Sequence, residues 1–143
     1  MKKLSFSILI ALLYSSNTLA DWTLLNKYEW QNASVDFFVD FTKIKKKENV
    51  FVPALLNYSK ANDAGVLSEK LLLEIDCKGK KLARVESGLY TGPMGSGKPP
   101  THPMDSVLGP MKYERVPFVD WQKIDSNNTI LFYVDIYKKI CIP

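Results

Sequence analysis

Only two of the 143 residues are cysteines. The first, Cys77, closes the stretch Ser68-Glu69-Lys70-Leu71-Leu72-Leu73-Glu74-Ile75-Asp76, which reads as a central strand. The second, Cys141, stands almost at the C-terminus, so a bond between them would pin the tail of the chain to the middle of a sheet. In an exported protein of this size two cysteines favour one structural disulfide, with two free thiols as the alternative. The loop so closed is long, and the chain-entropy model gives about 4 kcal/mol of stabilisation. A metal site is a poor reading of the same residues, because two cysteines and the single histidine, His102, do not make a zinc set.

Export is legible at the N-terminus. Met1-Lys2-Lys3 is basic, Leu4 to Leu13 is mostly apolar, and Ser15 to Ala20 is small and polar. That is the three-part layout of a secretory signal peptide, with Thr18 and Ala20 at the small-residue positions before the cut. The apolar run falls short of the roughly 18 residues that span a bilayer. Residues 1–20 are therefore predicted to be a signal peptide, and residues 21–143 one periplasmic or secreted domain. No cysteine follows the cleavage site to carry a lipid, and the mature chain is expected to have no membrane span. Without Lys2 and Lys3 the chain has 17 basic against 15 acidic side chains, too small an excess to predict nucleic-acid binding.

The remaining pattern is mostly that of strands. Trp22 to Asn26 is expected to open the sheet. Val35, Phe37, Val39 and Phe41 alternate with Asp36, Phe38 and Asp40, the period of two that marks a strand. Thr42 to Glu48 reads as a solvated turn. Asn49 to Tyr58 is a further strand, and Pro53 in it predicts an edge position or a bulge. Lys78-Gly79-Lys80 is short enough to join the central strand to Lys81–Thr91 as a hairpin. Gly92 to Pro110 is rich in Gly and Pro and reads as a long surface loop. Trp121 is expected to anchor the core near the last element. Asp125-Ser126-Asn127 is a helix-start signal. After it Ile130, Tyr133, Val134, Tyr137, Ile140 and Cys141 recur at helical spacing, with Lys138 and Lys139 where the helix dipole favours cations. Ile130, Phe132, Val134 and Ile136 also alternate, so a final strand competes with the favoured helix.

Several motifs weigh less than they first suggest. Gly92-Pro-Met-Gly-Ser-Gly97-Lys98 has the spacing of a phosphate-binding loop, but Pro99 stands where a magnesium-holding hydroxyl is required. His102 has no partner set for nucleophilic catalysis. Asp36, Asp40, Glu74 and Asp76 could supply a paired-carboxylate site, although such residues more often form the polar face of a half-buried sheet. No enzyme and no cofactor is predicted. Lys43, Lys45, Lys46 and Lys47 form one basic cluster, and Lys78, Lys80, Lys81 and Arg84 a second. If both turns lie at one end of the sheet, they would make a patch for an acidic protein segment or a polyanionic glycan. The competing account is that lysines guard turns and edges against aggregation. Lys98, in the Gly92–Pro103 loop, completes the candidate contact residues.

The order of these pieces resembles the bacterial surface-adhesin protein E family over nearly the whole mature chain. The matching pieces are Trp22, the Val35-Asp-Phe-Phe-Val-Asp40 strand running to Thr42-Lys43-Ile44, and Asn57-Tyr58. They continue with Ser68-Glu69-Lys70, Glu74-Ile75-Asp76-Cys77, Tyr90-Thr91-Gly92-Pro93-Met94-Gly95-Ser96-Gly97, Trp121 and Cys141. The resemblance implies an α+β fold: a single antiparallel sheet of about five to six strands with a C-terminal helix tied on by the disulfide. It also implies adhesion to host matrix and plasma proteins such as vitronectin and laminin, and a capacity to dimerise. The expected function is a non-enzymatic binding module for a protein or an envelope glycan. A small periplasmic enzyme, an enzyme inhibitor and a structural envelope protein are the alternatives.

Overall fold

A computed structural model describes residues 21–30, 33–100, 122–123 and 131–142. The long strands are β1 (Trp22–Trp30), β2 (Ala33–Asp40), β4 (Val50–Tyr58), β5 (Ser68–Asp76) and β6 (Lys81–Tyr90). Two short ones, β3 (Lys45–Lys46) and β7 (Gln122–Lys123), join them, and among the described residues one α-helix, α1 (Leu131–Cys141), follows. They make a single antiparallel sheet in the order β1-β2-β4-β5-β6-β7, with β3 paired beside β4. The architecture is the α+β sheet-and-helix arrangement expected from the sequence. Cys77 and Cys141 are bonded, with their Cα atoms 5.4 Å apart across a separation of 64 residues.

Alternation decides which face of the sheet is packed. Val35, Phe37 and Val39 of β2 share a face with Val52, Ala54 and Leu56 of β4, and with Leu71, Leu73 and Ile75 of β5. Along that face lies α1, which buries Phe132, Tyr133 and Ile136. The Phe132 ring meets Phe37 at 5.1 Å and Tyr28 at 6.4 Å between centroids. One helical stripe thus closes one sheet face, which resolves the ambiguity of the last segment. As a strand, this segment would have put Phe132 and Ile136 on one face and Tyr133 on the other.

Two strands depart from the expected pattern. β4 is a central strand, not an edge: it is flanked by β5 on one side and by β2 and β3 on the other. Pro53 is accommodated because its neighbour is interrupted there. β2 pairs only as far as Ala54 and β3 resumes at Phe51, while the chain between them turns through a 3-10 segment at Phe41–Lys43. A missing backbone donor costs little beside such a gap. In β6 the ladder with β5 slips between Leu72 and Leu73, leaving Val85 as the extra residue of a bulge. That bulge is why Leu82 and Val85 do not alternate cleanly. Residues 1–20, His102, Trp121 and the Asp125-Ser126-Asn127 signal lie outside the described residues.

Candidate binding surface

Strand direction brings the two lysine turns together. Val50 opposes Ile75, and Asp76 opposes Lys81, so the β3–β4 and β5–β6 connections leave the sheet at the same end. Lys45 and Lys46 of β3 and Lys47 after it are exposed at the first connection, and Lys78, Lys80 and the first residue of β6, Lys81, at the second. The C-terminal turn of α1 arrives at this end too, because Cys141 is bonded to Cys77. It adds the exposed Lys138 and Lys139. Tyr137 donates its hydroxyl to the Cys77 carbonyl at 3.2 Å, a second tie between helix and turn.

Carboxylates hold these turns in shape. Asp76 accepts the Gly79 amide at 2.8 Å. A Cβ on Gly79 would lie 2.2 Å from the same carboxylate, so any other residue there would displace Asp76 from its hydrogen bond. Lys80 follows in the left-handed region, at φ 52°, and returns the chain into β6. On the neighbouring connection Asn49 donates to Glu74 at 2.8 Å, and the Lys47 amide to the Asn49 carbonyl at 2.9 Å. Glu74 and Asp76, two of the carboxylates considered for catalysis, are thus occupied in supporting the lysine turns. The other two lie on β2, beyond β4: Asp36 faces Lys27 at 3.3 Å, and Asp40 is buried beside Lys43 at 3.4 Å. Among the described residues no group of three or more His, Cys, Asp or Glu side chains is placed to hold a metal ion.

Not every basic residue of the two clusters joins the patch. Arg84 lies on the packed face of β6 and donates to Glu69 at 2.8 Å, and Ser87 donates to the same oxygen at 2.7 Å. Its charge is spent on a buried carboxylate, so it is a poor candidate for an outside partner. Lys43 is held by Asp40. Lys98 belongs to the opposite end of the sheet, in the connection that follows β6.

That connection is folded on itself. Thr91 donates to the Lys98 carbonyl, Gly92 to Ser96 and Ser96 to Pro93. Met94 donates its amide to Asn57 at 2.7 Å, and Gly95 its amide to Ser68 at 2.8 Å. The amides that a phosphate loop would aim at its ligand are spent inside the protein. Gly95 has a φ of +72°, and a Cβ there would strike the Lys70 side chain at 2.0 Å. The glycine spacing therefore records a tight crossing over β5.

Against this connection lies a feature that sequence reasoning missed. The sheet face opposite α1 holds a shallow groove of about 490 Å³, with Trp22, Pro53, Leu72, Lys70, Glu86 and Tyr90 in its lining. Lys70 Nζ sits 4.8 Å from the centre of the Tyr90 ring, over its face. The available signal was a second set of apolar residues, Phe38, Pro53 and Leu72, at the alternate positions of strands otherwise read as polar on that side.

A comparison with protein families finds a match to surface-adhesin protein E over residues 22–134. No match is found among curated proteins, and none among solved structures. The matched span runs from the first residue of β1 into α1 and covers every strand described above, so the chain belongs to the surface-adhesin protein E family.

Proposed function

We propose that this protein is an exported, non-enzymatic binding module that presents its lysine-rich end to a host matrix or plasma protein, or to an envelope component. The observation that carries the reading is the convergence of the β3–β4 and β5–β6 lysine turns at one end of the sheet. Membership of a surface-adhesin family supports a binding role. Among the described residues no helix is long and apolar enough to cross a membrane. Residues 1–20 would direct export, and the domain after them would act as a periplasmic or secreted protein. It would work as a monomer or as a homodimer.

Capture on immobilised laminin and vitronectin at physiological salt tests the proposal. The wild-type protein is compared with one carrying Lys45→Glu, Lys46→Glu and Lys47→Glu. Capture of the wild type and loss of capture in the variant is the expected result. Equal capture of both would remove the lysine turn from the function.

A further inference from the structure

We propose that the lysine-rich end binds a linear sulfated polysaccharide, through three lysine groups of which the third, Lys138 and Lys139, comes from the helix. The inference rests on the reading of this end as a contact surface and adds the chemical class of its ligand.

Charge segregation is the first argument. The end carries three lysines in and just after β3, three on the β5–β6 connection and two on α1, against Glu48, Glu74, Asp76 and the Asp135 that shares a groove with the helix lysines. The whole chain exceeds its 15 acidic residues by only four basic ones. The four-charge excess at this end therefore leaves the remainder of the chain with none. Edge protection accounts for Lys45 and Lys46, which form the short strand β3 paired only with β4, but not for Lys78 and Lys80 in the β5–β6 turn or for Lys138 and Lys139 on α1. Among the described residues the eight lysines of the end make no ion pair.

Shape and composition then select the ligand. From β3 to β6 is three strand spacings, roughly 15 Å, and both connections are fixed by the Asp76 and Glu74 hydrogen bonds. Such a row of separated cations suits an extended chain that repeats its anions, more than a single phosphate or carboxylate. No aromatic side chain is among the exposed large apolar residues described, which are Leu24, Met94, Leu131 and Ile142. Single-stranded nucleic acid would want aromatic rings to stack on. A lipid surface would want more apolar contact than Ile142 supplies. A sulfated glycan needs charge and hydroxyl contacts, and this end offers the charge.

The test uses the disulfide-closed protein and a fluorescent heparin oligosaccharide, with anisotropy read over a series of salt concentrations. Three paired variants each remove two lysines: Lys45→Gln with Lys47→Gln, Lys78→Gln with Lys81→Gln, and Lys138→Gln with Lys139→Gln. A control, Lys60→Gln with Lys98→Gln, removes two from the opposite end. Each of the three is expected to weaken binding and to lower the slope of log affinity against log salt by about two or less, while the control leaves both unchanged. Failure of the wild type to bind at physiological salt overturns the proposal, as does an equal loss in the control. Equal or tighter binding of desulfated heparin, of a DNA oligonucleotide, of anionic vesicles or of an acidic peptide also overturns it. Laminin or vitronectin capture that persists without heparin binding would sink this inference and leave the broader reading standing. Heparin binding without matrix capture would do the reverse.

Discussion

Asp40 has no exposed side-chain surface, yet it stays charged. Burial pushes its carboxyl pKa up, but the Thr42 hydroxyl and amide and the nearby Lys43 outweigh that and set it below the ordinary value. Thr42 donates to Oδ1 twice, whereas Oδ2 has no hydrogen bond among the described residues and lies 3.4 Å from Lys43 Nζ. With the folded pKa depressed, the stabilisation is present above the unfolded carboxylate value and is lost as pH falls through the folded one. Asp40→Asn should cost about 2 kcal/mol at neutral pH, and urea midpoints measured down the acid range should depend less on pH than in the wild type. Tyr58 behaves in the opposite sense. Burial, and then the negative charge of Glu69 opposed by Arg84, push its hydroxyl up to about 12. Its contribution is complete below the unfolded tyrosine value near 10 and is lost as pH rises through about 12. Burial raises Tyr28 and Tyr133 as well, so ultraviolet titration of the folded protein should show a late tyrosinate step that Tyr58→Phe reduces by one tyrosine.

At the scale of the element, α1 depends on what holds it to the sheet. Eleven residues are too few for a helix to persist alone in water. Its stability comes from Phe132, Tyr133 and Ile136 against the sheet, the Tyr28 and Asn26 hydrogen bonds to Asp135, and the bond to Cys77. Replacing both cysteines, Cys77→Ser with Cys141→Ser, should lower the unfolding free energy by about 4 kcal/mol, read from denaturant midpoints. The same change should release the last helical turn, which hydrogen exchange at Lys138 to Cys141 would report. The β5–β6 pair is less dependent on that tie, because the turn capped by Asp76 joins the two strands locally.

For the whole molecule, the sheet sets where charge is displayed, and the packed face is unaffected by it. Lys45, Lys46 and Lys47 are exposed, and none of them belongs to the core cluster. Changing all three to Glu should therefore move the unfolding free energy by only about 0.5 kcal/mol per site or less. A urea curve close to wild type would establish that lost capture reflects lost charge and not lost fold. The sequence by itself determined the strand periods, the hairpin link Lys78-Gly79-Lys80 and the candidate disulfide, because alternation, turn chemistry and the two cysteines are local or countable. It left the last segment between helix and strand, since a short apolar run satisfies both periods until a sheet face asks for one stripe. Pro53 was misleading for a similar reason: proline is excluded by the ladder beside it, and only the pairing shows that the ladder is broken there. Arg84 and Lys98 looked equivalent to the other cations in one dimension, while Lys138 and Lys139 looked like helix-end charges alone. Pairing with Glu69, strand direction and the Cys77–Cys141 bond separated or joined them, and those are long-range contacts that no local pattern encodes.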